Sequence, residues 1–308
     1  MSFPLMPLAG PVPNAGETWT QVGGVSTGFD LKQLSVSPDG VWVVGADSTS
    51  SVLRSTNNGT TWSTSSTSSV LSRTFGSAYG SGLFVASDSV INSGKVASSP
   101  NGLSWSSRSS ATSQNFRIRY NDGYFVIGGQ TTPGGSGLIS ASPDGISWTV
   151  NPQGVAVAGL VNCGIYVASL GRTFVSGSSS TTRKYVNAVP TAATTWTGSS
   201  FGLPVTTHDV CWSPALSRAV VVGSGGMYSS QDLINWTLRQ SATDMYGVSW
   251  CETQFVAVGS SGKIFTSTDG ITWVSRTSGT TSALYGVDHL NGVILATGSA
   301  GTVLRSVA

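Results

Sequence analysis

Charge is scarce in this chain. Of 308 residues, 15 are Lys or Arg and 13 are Asp or Glu, together 9%, against the roughly 25% usual in globular proteins. A net charge of +2 with no basic run excludes a field that would recruit nucleic acid or an anionic membrane. Acid–base groups are few as well, with two histidines and, as carboxylates of the longer kind, only Glu17 and Glu252. The three cysteines, Cys163, Cys211 and Cys251, are odd in number and lack the close pairs of a zinc or redox motif. They imply buried thiols in a reducing compartment and no disulfide framework. No basic segment opens the chain, and Pro4, Pro7, Pro11 and Pro13 interrupt its start, which excludes an ordinary secretory signal. Long apolar runs are missing too. The nearest, residues 154–171, holds Gly159, Asn162, Gly164 and Ser169 and reads as two strands about a tight turn, too polar for a span. No segment sustains a helical apolar period.

What is abundant is glycine (39), serine (53) and tryptophan (10), in a chain that is 39% hydrophobic. That much apolar surface offsets ordering entropy, so the chain is ordered, and the composition is that of an all-β protein with many turns. A short pattern ending in tryptophan recurs along nearly the whole length. Its copies close on Trp19, Trp62, Trp105, Trp148, Trp196, Trp236 and Trp273. The fullest are Ser142-Pro-Asp144-Gly-Ile-Ser-Trp148 and Ser267-Thr-Asp269-Gly-Ile-Thr-Trp273, and Ser230 to Trp236 carries Asp232. A spacing near 40 residues is that of one four-stranded propeller blade. Between tryptophans the order is strand, turn, strand, glycine turn, strand, as in Met245-Tyr-Gly-Val and again in Leu284-Tyr-Gly-Val. The expected fold is therefore an all-β, seven-bladed propeller of four-stranded blades over residues 14–308. Residues 17–23 complete the last blade and close the ring, and residues 1–13 form an extended, proline-rich arm.

The pattern S-x-[DN]-(x)-G-x-[ST]-W resembles the Asp-box, or BNR repeat, of sialidases and of many non-enzymatic propellers. The resemblance implies a hairpin between third and fourth strands, with Ser and Asp bonded to local backbone, Gly at positive φ and Trp packed between sheets. The box residues, Asp144, Asp232 and Asp269 included, are thus structural. Several copies are one residue shorter than the family's eight-residue box, and two depart further: residues 191–196 lack both acid and glycine, and Leu233 stands where Gly is expected. Those turns are expected to be the loosest.

A sialidase activity is disfavoured by the residues, since that chemistry needs an arginine cluster, a tyrosine nucleophile with a glutamate partner, and an acid, on a six-bladed fold. Arg117 and Arg119 alternate on one strand and are expected to be a solvated or channel-lining pair. His208 and His289 fall on the same strand of different blades, with no triad or carboxylate pair readable from spacing. No enzyme activity, cofactor or metal site is expected. Recognition is expected in loops, and the candidate ligand residues are Arg183, Lys184 and Tyr185 in the long segment 178–190, two cations beside an aromatic ring suited to a glycan or acidic protein surface. The low charge, the arm and the propeller resemble bacteriophage tail or fibre proteins. That resemblance implies a virion structural protein folded in host cytoplasm, held to other virion proteins by the arm and touching host polysaccharide or receptor. The alternative is an assembly factor, since Gly-x-x-Gly-x-[IV]-[LF]-x-S-x-D-G-x-T-W also resembles the propellers that assist photosystem II assembly.

Overall fold

The computed structural model describes residues 15–23, 25, 28–67, 69–90, 93–109, 114–130, 137–150, 160–178, 183–191, 197–199 and 206–307. The arm, residues 1–13, and Trp196 lie outside them. The described chain forms seven four-stranded antiparallel sheets. Blades 1 to 6 take residues 31–66, 74–109, 114–150, 161–199, 207–240 and 245–276 in order, and blade 7 takes 284–307 with Thr20–Gln21 as its fourth strand. The ring is a seven-bladed propeller closed by the N-terminal strand. Thr20 pairs with Arg305 and Gln21 with Leu304, Gly16 N–H donates to Ser306 Oγ at 2.7 Å, and Trp19 is buried among Val256, Ile294 and Leu304.

The alternating strands bury their apolar residues between neighbouring blades, so the core is a series of interblade clusters and the middle of the disc is left as a channel. One such cluster joins Ile165, Val167 and Phe174 of blade 4 to Val210, Ala219 and Val221 of blade 5. The three cysteines are free and buried in these clusters, where burial pushes each thiol up, as expected of structural thiols.

The turns ending in tryptophan join third to fourth strands, and their serine and acid work as the pattern suggests. In blade 3, Gly145 N–H donates to Ser142 Oγ at 2.8 Å, while Ile146 and Ser147 N–H both donate to Asp144 Oδ1 at 2.8 Å. Gly145 has φ +72° and lies against Val85 of blade 2 and Phe125, so a side chain there has neither the conformation nor the room. Asn57 and Asn101 play the part of the acid in blades 1 and 2. The Asp144 carboxyl is held below its ordinary range by the backbone N–H of Ser147 and then Ile146. At Asp232 and Asp269 partial burial pushes upward, but the same pair of backbone bonds outweighs it. A lowered folded pKa stabilises above the unfolded value of about 3.9 and is lost as pH falls through the folded value. Asp144→Asn, Asp232→Asn and Asp269→Asn together are expected to flatten the acid limb of a stability–pH curve measured by denaturant unfolding, while Asn57→Ala leaves its shape unchanged.

The turn at 230–236 is not loose, contrary to expectation. Ile234 and Asn235 N–H donate to Asp232 Oδ1 at 2.8 and 2.7 Å, and Asn235 Nδ2 donates to Oδ2 at 2.7 Å. Leu233 itself takes the left-handed conformation, φ +60°, and its side chain is fully buried in the cluster between blades 4 and 5. Packing outweighs the left-handed cost of about 1–2 kcal/mol. Leu233→Ala is expected to cost about 3 kcal/mol in denaturant unfolding and Leu233→Gly about 2 kcal/mol, because glycine leaves a similar cavity but relieves the backbone. The reverse order would show that the backbone is unstrained. Residues 191–196, the other departure, lie almost wholly outside the described residues.

Candidate functional site at the channel mouth

The first strand of every blade lines the channel, and every one carries the same irregularity. Near its start the register with the second strand slips by one, between Leu31 and Leu34, Thr74 and Gly76, Asn115 and Ile118, Val161 and Cys163, Thr207 and Asp209, Met245 and Gly247, and Leu284 and Gly286. Such a bulge re-aims the extra side chain. The first residue past each break is Lys32, Phe75, Phe116, Asn162, His208, Tyr246 or Tyr285, followed in blades 1 and 3 by a second unpaired residue, Gln33 or Arg117, and all seven first residues line a cavity of about 360 Å³ at one mouth of the channel. The wall is mostly apolar, completed by Leu160 just before the first strand of blade 4.

Five of the seven are rings, each in contact with another. Phe75 and Phe116 meet edge to face at 6.0 Å between centroids, and His208, Tyr246 and Tyr285 run in a row at 5.2 and 5.5 Å. Lys32 Nζ sits 3.8 Å from the centroid of Tyr285 and is held by Asp30 at 2.9 Å and Asp47 at 3.6 Å, so its charge is matched at the rim. Tyr285 is pushed up to about 12, by burial and then by the charge and hydrogen bond of Asp30. His208 is pushed down by burial, an effect its bond to Met245 only partly offsets. Because that partner is a carbonyl, 3.0 Å from Nδ1, Nδ1 carries the proton and Nε2 is left as an acceptor.

A buried ionic plug forms the floor. Arg117, on the bulge of blade 3, donates from Nη2 to the carbonyls of Tyr246 and Tyr285 at 2.6 and 2.7 Å and lies 3.3 Å from Asp209 Oδ2. Arg119 reaches the same carboxylate with Nε at 3.0 Å and with Nη2, which also donates to the Val248 carbonyl at 2.7 Å. Asp209, 0% exposed, further accepts from Val210 and Val248 N–H. Burial works against the charge of either arginine. At Arg119 the charge and hydrogen bond of Asp209 outweigh it and raise the pKa, whereas at Arg117 burial prevails and Arg119 adds repulsion. Gln33 closes the remaining gap, bonded through both amide atoms to the backbone of Ile118.

The expected channel-lining position of Arg117 and Arg119 is thus correct, and a solvated one is not. His208 and His289 do lie on equivalent strands but at opposite ends, at opposite mouths of the channel. Residues 183–186 are not a free loop. They form the third strand of blade 4, paired with strands 172–177 and 197–199, and the Tyr185 ring lies 5.0 Å beneath the Arg172 guanidinium. Arg183, Lys184 and Tyr185 therefore sit in the outer half of their blade, two strands away from the channel-lining one. Among the described residues no cluster of three His, Cys, Asp or Glu is placed to hold a metal, and no helix is long and apolar enough to cross a membrane.

No protein-family model matches the chain, and no curated protein matches it. Solved structures do. A structure of YCF48 bound to D1 peptide is 15% identical, with 96% of this chain and 98% of that chain covered and a TM-score of 0.69. A catalytically inactive variant of virginiamycin B lyase from Staphylococcus aureus, with quinupristin, is 9% identical over 94% and 99% of the two chains, with a TM-score of 0.77. The WD40 propeller domain of Doa1 is 10% identical over 95% and 96%, with a TM-score of 0.71. At these identities the likeness shows the fold alone.

Proposed function

We propose that this chain is a non-enzymatic assembly propeller that docks an extended segment of a partner protein across the aromatic mouth. The observation that carries this reading is the bulge repeated in all seven blades, which delivers one side chain each to a single cavity. A wall of rings fits a large apolar or aromatic side chain, and the acceptor at His208 Nε2 suits a peptide N–H. Such an anchor buries about 150–250 Å², and at about 25 cal/mol per Å² that is roughly 4–6 kcal/mol before the cost of ordering the peptide. Peptide docking is also what one whole-chain structural neighbour, YCF48 bound to D1 peptide, is named for. That supports the assembly reading over the virion reading, whose anchor, residues 1–13, lies outside the described residues. The Asp209 carboxylate is already engaged by two arginines and two backbone amides, in keeping with a binding role.

The test is selection from a random peptide library displayed on beads, followed by fluorescence anisotropy on the purified chain. Tyr246→Ala is expected to weaken the selected peptides by about 2 kcal/mol, roughly 30-fold, as for an aromatic interface anchor. Peptides that bind equally well to Tyr246→Ala and Phe116→Ala, or a library that yields none, would overturn the proposal.

A further inference from the structure

The plug divides the channel, and on its other side a second cavity of about 480 Å³ opens at the opposite mouth, within the size range of small-molecule sites. Its wall is unlike the first. Beneath it lies Arg119, and around it stand Trp212, Trp250, Ser249, Asp288 and His289. The indole N–H groups of Trp212 and Trp250 and the hydroxyl of Ser249 make no hydrogen bond within the described residues. Asp288 commits Oδ1 to the N–H of His289 at 2.9 Å, and its side chain is about a quarter exposed. His289 Nδ1 is buried without a partner, 3.8 Å from Asp288 Oδ1 and beyond hydrogen-bond reach. That nitrogen is enclosed by protein, so the cavity's polar offer comes from the indoles, Ser249 and Asp288.

Charge then narrows the ligand. Two arginines against one aspartate leave the plug with an excess of one positive charge, and Asp288 stands on this side to oppose it, stabilising the charged form of Arg119. The cavity floor is balanced, which favours neither anion nor cation. What the wall offers is a mixture of donors (two indoles), acceptors (a carboxylate) and a hydroxyl that is both, beside flat aromatic surface. A hexose ring has the matching chemistry, with hydroxyls that donate and accept around its edge and an apolar C–H face to lay against a ring. We infer that this second cavity binds a neutral hexose or N-acetylhexosamine, independently of peptide docking at the other mouth.

Saturation-transfer NMR of the full chain with glucose, galactose, mannose and N-acetylglucosamine tests this, with glucosamine and N-acetylneuraminic acid as charged comparators. Saturation of at least one neutral sugar is expected, with affinity falling at least tenfold in Asp288→Asn and lost in Trp250→Leu. Should Trp250→Leu fail to fold, Ser249→Val serves in its place. Tyr246→Ala, at the first mouth, is expected to leave the sugar signal unchanged, so failure of one reading is distinguishable from failure of the other. No neutral sugar showing transfer, transfer to the charged sugars alone, or transfer that survives Asp288→Asn and the second variant would each overturn the inference.

Discussion

Asp209→Ala is expected to destabilise the propeller by about 3–5 kcal/mol, the cost of leaving buried charge without its partner. The effect is large because one carboxylate serves two guanidinium groups that are almost wholly enclosed, with side-chain exposures of 7% for Arg117 and 16% for Arg119. Removing it turns attraction into repulsion between two like charges in a poorly solvated channel. It also strands the N–H of Val248, which donates to Asp209 Oδ2 at 3.1 Å. Asp209→Asn keeps one acceptor and is expected to cost less than alanine. Arg119→Met in the Asp209→Ala background relieves the repulsion, so the double variant should be more stable than the single one in denaturant unfolding. Additive losses would mean that the three side chains are not a unit. Because the plug ties blade 3 to blades 5, 6 and 7 across the channel, peptide affinity at the aromatic mouth should fall along with stability.

The architecture was legible because each of its signals repeats. Seven tryptophans near a 40-residue spacing fix the blade count, and a last unit of three strands, the third being Val303–Val307, points to a fourth supplied from the N-terminal side. Serine and acid in the turns announce their hydrogen bonds because those bonds are local, two or three residues apart. The aromatic mouth was harder to find although it too repeats. Tyr246 and Tyr285 stand before a glycine in the best-matched units, but Lys32, Asn162 and His208 occupy the same place with unrelated chemistry. Their equivalence is one of register, visible only once the bulge is seen in every blade. Asp209 gave no signal at all, since its partners Arg117 and Arg119 are about 90 residues away. The looseness expected at Leu233 failed for a related reason. The pattern scores a residue by its turn, whereas the energy of that leucine comes from blade 4, a long-range contact to which a local motif is blind.

Removing residues 1–22 is expected to lower the melting temperature by on the order of 10 °C or to drive aggregation, while removing residues 1–13 leaves melting unchanged. The shorter deletion spares every contact that the closing strand makes among the described residues. The longer one takes away Trp19, whose loss from a buried site alone costs about 3–5 kcal/mol, and for a large domain each kcal/mol corresponds to roughly 2–4 °C. It also removes the bonds of Gly16 to Ser306, Thr20 to Arg305 and Val22 to Val303, and the side-chain bond of Gln254 to Ala15. Strand Val303–Val307 would then present an unpaired edge, a template for intermolecular pairing. Closure can be separated from a general loss of residues by moving the piece. With residues 14–23 joined after Val307, the third and fourth strands of blade 7 are connected by a tryptophan turn, as they are in blades 1, 2, 3, 5 and 6. That permutant should melt with the full chain and match its mass by light scattering, without aggregating. A permutant as unstable as the deletion would show that the N-terminal strand stabilises the ring by something other than completing its last sheet.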